Sequence, residues 1–397
     1  MKSSTKVLSI SLALAMTVSI GSLGLKAKAD GSTEKPVLKS TSQYTAPSAT
    51  QSGYQSIFSD CRVKTSDGGQ LASIDQTNDK AEYGNQILVK YQADGKIQWQ
   101  KDMSDGRVIS ICETSDGNYF VSCVAASGEE KLYKFSASGN EIFSKSLDKA
   151  ISDLTPDSDG GAYCTSDLES ISKIDADGSI KGIASLPANQ NCRSVQFANG
   201  KLYVLVCEND SPVFTVFTLS TDGAVLSQKQ LPKNTDSTMS DYFTLLKVTS
   251  DGGYMLVKVT EDKNSNSTVV IGKFDANLND QWTMNIDDTT FDFDVNSDGT
   301  FNTYSYTDNE SIMTKNTYAV EAAGSDSSQT SSNTTTGNAS NTSTNTNSQA
   351  TTDTSSSAKV SNPKTGAENG AIAAVLVAVA IVSSLGAIVI QRKKRSN

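Results

Sequence analysis

A turn signal that returns six times constrains this chain more than anything else in it. Ser66-Asp67-Gly68-Gly69 is echoed at Ser115-Asp116-Gly117, Ser158-Asp159-Gly160-Gly161, Ala198-Asn199-Gly200, Ser250-Asp251-Gly252-Gly253 and Ser297-Asp298-Gly299, at intervals of 40 to 52 residues. Asp-Gly and Asn-Gly pairs accept positive φ and so close tight hairpins. A second turn follows each of the first five, 18 to 27 residues later: Asp94-Gly95, Ser138-Gly139, Asp177-Gly178, Asp222-Gly223 and, in the same place, Asn277-Leu278. Between turns run short alternating segments such as Tyr254-Met255-Leu256-Val257 and Ile87-Leu88-Val89-Lys90. Each repeat therefore reads as four strands joined by two tight turns and a loop. Such a unit cannot bury both faces alone, and closing a ring of units solves that problem.

Smaller features keep the same register. Lys90-Tyr91, Lys134-Phe135, Lys173-Ile174 and Lys273-Phe274 precede four of the second turns, and Trp99 and Trp282 follow two of them. The pattern resembles the quinoprotein/WD-like β-propeller superfamily. That resemblance implies an all-β domain of six four-stranded blades over residues 53–322. The sixth repeat has a first turn but no second between Phe291 and Val320. A strand from the polar lead-in, residues 30–52, is expected to complete it, around Lys35 to Ser40. An open β-sandwich or two smaller β domains are the competing architectures. All 27 aromatic residues fall between Tyr44 and Tyr318, which marks the part able to build a core.

The ends speak of address. Residues 1–29 read as a secretory signal, with Lys2 and Lys6 before an apolar run and Ala27-Lys28-Ala29 placing cleavage between Ala29 and Asp30. An uncleaved anchor is the alternative. Residues 323–361 are almost entirely Ser, Thr, Asn, Gln, Gly, Ala and Asp, a composition that predicts a disordered stalk. Residues 371–390 are uncharged and mainly aliphatic, long enough as a transmembrane helix for a bilayer core of about 30 Å. The basic tail 391–397, with Arg392-Lys393-Lys394-Arg395, is expected to stay in the cytoplasm.

Just before the apolar span stands Asn362-Pro363-Lys364-Thr365-Gly366. Pentapeptide, span and basic tail, in that order, resemble the sorting signal of Gram-positive cell-wall proteins, the LPXTG family. The resemblance implies that a sortase cuts between Thr365 and Gly366 and joins the Thr365 carbonyl to a peptidoglycan amine. The chain would then stand outside the cell on the wall, or on the plasma membrane if uncut. Asn362 departs from the family's usual Leu, which implies a variant sortase.

Composition narrows the chemistry. The chain of 397 residues holds no histidine, which excludes Ser/His/Asp and Cys/His triads and the commonest metal ligand. Four of its 34 basic residues lie in the first 29 positions and four follow Thr365. Residues 30–365 therefore hold 26 basic against 43 acidic residues, a net charge of −17. No nucleic-acid partner is expected of such a surface.

Six cysteines outside a cell invite disulfides. A two-residue turn at Asn199-Gly200 sets Cys192 directly opposite Cys207, and Cys112 and Cys123 are diagonal neighbours on their own hairpin; buried thiols are the alternative. Asp294, Asn296, Asp298 and Gly299 match half of a calcium loop, but position 12 is Ser305, so an ordinary hairpin turn is favoured and no metal is assigned. Asp287, Asp288, Asp292 and Asp294 form an acidic cluster. On a strand Asp292 and Asp294 share one face, with Phe291 and Phe293 on the other. Paired carboxylates can cleave glycosides, but two on one strand face more often make a solvated rim. The cysteine platform of quinone-dependent enzymes is absent, and no cofactor or catalytic residue is assigned.

The function expected is a non-catalytic surface protein whose propeller binds a glycan, a matrix protein or an envelope component. Its rivals are an extracellular carbohydrate-active hydrolase or lyase using propeller carboxylates, and a structural envelope protein without a dedicated ligand.

Overall fold

The computed structural model of the protein describes residues 34–322, except 79–82, 104–105, 126, 188, 209–212, 234–235, 237–238, 265–266, 288 and 308. The signal segment and its cleavage point, the linker, the sorting pentapeptide, the apolar span and the basic tail lie outside the described residues.

The first strand, β1 (Glu34–Thr45), is used last. Blade 1 is β2 (Tyr54–Lys64), β3 (Gln70–Asn78), β4 (Tyr83–Tyr91) and β5 (Ile97–Asp102). Blade 2 is β6 (Gly106–Glu113), β7 (Tyr119–Ala125), β8 (Glu130–Phe135) and β9 (Glu141–Leu147). Blade 3 is β10 (Ile151–Pro156), β11 (Ala162–Ser166), β12 (Ser170–Ile174) and β13 (Ile180–Ser185). Blade 4 is β14 (Gln190–Ala198), β15 (Lys201–Glu208), β16 (Phe214–Leu219) and β17 (Val225–Gln230). Blade 5 is β18 (Met239–Val248), β19 (Tyr254–Asp262), β20 (Ser267–Phe274) and β21 (Asp280–Asn285). Blade 6 is β22 (Thr290–Val295), β23 (Phe301–Tyr306) and β24 (Ile312–Ala322), with β1 outside β24 as its fourth strand. The six antiparallel sheets form a β-propeller, and the missing second turn of the last repeat is explained. Its outer strand arrives from the N-terminal side, so the propeller takes in Glu34–Thr45 ahead of residue 53.

The first strands touch in sequence, β2 to β6 and onward, and β22 returns to β2. Side chains between blades form six apolar clusters, one at each interface. The closing interface buries Tyr44 of β1 with Phe58, Tyr91, Phe291, Tyr304 and Met313.

The repeated lysines find their role here. Lys90 Nζ lies 2.7 Å from Asp67 Oδ2, Lys134 pairs with Asp116, Lys173 with Asp157 and Lys273 with Asp251. In four of the six blades a lysine near the end of the third strand thus ties down a carboxylate in or next to that blade's first turn. Trp99 has an inter-blade role: it lies over Gly139 in the second turn of the next blade and donates from Nε1 to the Ala137 carbonyl at 2.9 Å.

Every innermost strand carries a register shift against its neighbour. The shifts fall between Phe58 and Arg62, Val108 and Ser110, Ser152 and Thr155, Cys192 and Ser194, Thr244 and Lys247, and Thr290 and Asp292. A bulge bends its strand and re-aims the side chains around it. Asp153 and Leu245 sit in two of these bulges at φ 52° each, a conformation uncommon outside glycine. Six bulges at one level of the ring decide what faces the central channel.

The bulges also correct the sequence-based cysteine pairs. Asn199-Gly200 does form the two-residue turn, with both φ positive and Ala198 facing Lys201. The bulge at Arg193 then slips the register, so that Cys192 faces Val206 and Cys207 faces Asn191. Cys192 packs in the interface of blades 3 and 4, Cys207 in that of blades 4 and 5. Cys112 and Cys123 likewise face opposite sides of blade 2. Neither sequence-based pair is joined, and the six cysteines stand unbridged in this structure.

Candidate functional site

The central channel encloses a cavity of about 930 Å³ lined from all six blades. The folded body holds three arginines, Arg62, Arg107 and Arg193, and all of them line it, with Lys247 as a fourth cation. Asp60, Asp75, Asp153, Asp292 and Asp294 supply the carboxylates. An outer surface rich in acid therefore surrounds a core of mixed sign.

Arg62 is the best-built part of this site. Its side chain is only 1% exposed, Nη2 lies 2.7 Å from Asp292 and Nη1 lies 3.1 Å from Asp294. Nη1 also donates to Gln70 Oε1 at 2.9 Å, and the guanidinium carbon stands 3.2 Å above the Tyr304 ring. The Tyr304 hydroxyl donates to Asp294 at 2.9 Å and accepts from Gln70 Nε2 at 3.1 Å. Burial works against the Arg62 charge, but Asp292 and Asp294 outweigh it and hold the proton more tightly than usual. Burial raises Asp292, whereas for Asp294 the pull of Arg62 and Lys247 wins and its carboxyl lies low. The node is a closed clasp between blades 1 and 6.

Across the channel the cations act at longer range. Burial raises Asp60 and Asp75 above the usual carboxylate range, with Arg107 opposing. Burial likewise pushes Asp153 up to about 6, against the hydrogen bond from Val195 N and the field of Lys247. Among the described residues neither Arg107 nor Lys247 has a carboxylate within ion-pair distance. Both line the cavity.

The acidic cluster read from the sequence is thus divided. Asp292 and Asp294 are in the channel, clasped by Arg62, and do not form a solvated rim. Phe291 and Phe293 do not share a face: the bulge at Phe291 sends it to the interface of blades 6 and 1, and Phe293 packs between blades 5 and 6. Asp287 accepts from the hydroxyls of Thr289 and Thr290 instead, and Asp288 lies outside the described residues. The calcium-like set is spent on protein contacts: Asp294 holds Arg62, Asn296 accepts from Lys64 at 2.7 Å, and Asp298 caps Thr300. No local motif singles out Arg107, Arg193 and Lys247 in the sequence, although every arginine of the body sits on the first strand of its repeat.

No family model matches the chain, and no curated protein matches it. Among solved structures it is similar to a streptogramin B lyase, at 12% identity and a TM-score of 0.41, over 71% of this chain and 97% of that one. The Dos1 propeller gives 10% identity and a TM-score of 0.42, over 71% and 95%. BamB from Moraxella catarrhalis gives 10% and 0.38, over 70% and 99%. Likeness at this level carries no function from those proteins to this one.

Proposed function

We propose that the chain is a surface-displayed recognition protein, non-catalytic, whose propeller channel binds a glycan of the cell envelope or its surroundings. The observation that carries this reading is the Arg62 clasp. A hydrolytic carboxylate pair needs one group free to donate a proton and the other free to attack or to activate water. Asp292 and Asp294 instead share one buried guanidinium at 2.7 and 3.1 Å. Arg107 and Lys247 offer donors, and the half-buried carboxylates offer acceptors, a mixture suited to the hydroxyl groups of a sugar.

The signal segment, the stalk, the NPKTG pentapeptide and the apolar span support display on a Gram-positive wall. Sortase and peptidoglycan are the partners at Thr365, and the C-terminal helix holds the precursor in the membrane. Residues 30–361 probed on arrays of glycans and matrix proteins, beside a panel of hydrolase substrates, test the reading. Glycan retention lost in Arg107→Gln is expected. Turnover that disappears in Asp292→Asn would overturn the non-catalytic assignment. If Thr365→Ala leaves release by wall-digesting enzymes unchanged, wall attachment is wrong.

A further inference from the structure

We propose that this protein carries two disulfide-forming pairs that bridge neighbouring blades, Cys61 with Cys123 and Cys112 with Cys164, and that Cys192 and Cys207 stay thiols. The first pair spans blades 1 and 2. Cys61 sits in the bulge of β2 and turns its sulfur toward blade 2, 3.1 Å from the Ile109 carbonyl and 3.5 Å from that of Val108. Val108 is the residue facing Cys123 across β6 and β7. Cys61, Val108 and Cys123 pack into one apolar cluster.

The second pair repeats the arrangement one blade on. Cys112 and Cys164 share the cluster between blades 2 and 3. Ser110, two residues before Cys112, accepts from Leu154 N at 2.9 Å. Leu154 lies in the bulge of β10, and Cys164 is the β11 residue opposite that bulge.

The repeat itself makes the two pairs equivalent. Cys61 stands six residues before Asp67 and Cys123 seven after Asp116; Cys112 stands four before Asp116 and Cys164 five after Asp159. In each pair a first-strand cysteine and a second-strand cysteine of the next blade lie at matching heights above their turns. Cys192 and Cys207 have no such counterpart, since they face different interfaces of blade 4.

Burial pushes the Cys61 and Cys164 thiols up to about 12, so once the ring has closed they are poor nucleophiles. The bonds therefore form while the blades are still open. Each forms by exchange with a low-molecular-weight disulfide: one thiolate attacks it and expels a thiol, and the partner thiolate displaces the second. Two protein thiols are oxidised to one S–S bond, and the small disulfide is reduced to two thiols.

The test needs no assumption about where the protein resides. The purified full chain is refolded from denaturant in a glutathione redox buffer, then denatured, alkylated and digested. Two alkylated cysteines, Cys192 and Cys207, are expected, with linked peptides joining 61 to 123 and 112 to 164. The C192S/C207S variant should keep both links and melt several degrees higher before reduction than after it. Six alkylated cysteines, any other linkage, or loss of either link in C192S/C207S overturns the proposal.

Discussion

Tyr44, eleven positions into the first strand, meets Tyr91 of blade 1 edge to face, with ring centroids 5.5 Å apart and planes inclined at 72°. The Tyr91 hydroxyl donates to the Thr45 carbonyl at 3.0 Å, so the strand that completes blade 6 is also held by blade 1. This pair is one of the contacts that close the ring, beside the apolar cluster and the Arg62 clasp. Tyr44 is fully buried, and Tyr44→Ala should cost about 3–5 kcal/mol in urea unfolding, as large aromatic truncations do. Tyr44→Phe keeps the ring and should cost about 1 kcal/mol or less.

Arg62 is expected to matter more to the fold than any other channel residue. Arg62→Met strips the counter-charge from two buried carboxylates, and breaking such a pair costs about 3–5 kcal/mol. Arg62→Lys should rescue little, because an ammonium can neither span both carboxylates nor stack flat on Tyr304. Adding Asp292→Asn and Asp294→Asn to Arg62→Met should restore much of the loss. A triple variant no more stable than Arg62→Met alone would show that charge balance is not what the clasp supplies.

Stability should peak in mild acid. Burial raises Asp153 to about 6, so the folded state takes up its proton before the unfolded state does. Stability therefore grows as pH falls from 7 toward 5. Three turn carboxylates act oppositely. Burial pushes Asp67 up, but hydrogen bonds from Lys90, Thr65 and Gly69 outweigh it and hold the group at about 2. Asp116 and Asp251 lie at about 2 for the same reasons, against burial, through Thr114, Asn118 and Lys134 and through Lys273, Thr249 and Gly253. Their contribution is complete above the unfolded value near 3.8 and is lost as pH falls toward 2. Melting curves from pH 7 to 2 should rise and then drop, and Asp153→Asn should shrink the rise without changing the drop, since Asp60, Asp75 and Asp292 are raised by burial as well. A monotonic decline from neutral pH in the unmodified protein would contradict this.

Gly139 and Gly117 separate backbone strain from blade packing. Both have positive φ, +82° and +76°, but a Cβ on Gly139 would lie 2.8 Å from the Trp99 ring, while Gly117 has open space. Gly117→Ala should cost about 1 kcal/mol through strain alone. Gly139→Ala should cost about 1–3 kcal/mol more, as overpacking does. In Trp99→Ala the two alanine substitutions should cost nearly the same, and a persistent gap would show that Trp99 is not the obstacle.

Much of the architecture was legible because turn chemistry is local. Asp-Gly pairs, the segments between them and the absent second turn of the last repeat name six blades and a closing strand without any knowledge of contacts. The channel was not legible in that way. Asp292 and Asp294 read as an ordinary acidic stretch, since their partner Arg62 lies 232 residues from Asp294. The cysteine register failed for a different reason: the turn at Asn199-Gly200 formed as read, and one extra residue at Arg193 moved Cys192 away from Cys207.

By itself, then, the sequence determined the repeat, its count and the direction from which the ring closes, because each depends on a few neighbouring residues that permit or forbid positive φ. Only the tertiary structure decided which side chains meet in the channel and across the blades. Side chains alternate faces along a strand, so a single bulged residue reverses everything beyond it. Six such bulges, one in each innermost strand, set the charges of the channel and divided the cysteines among the blade interfaces.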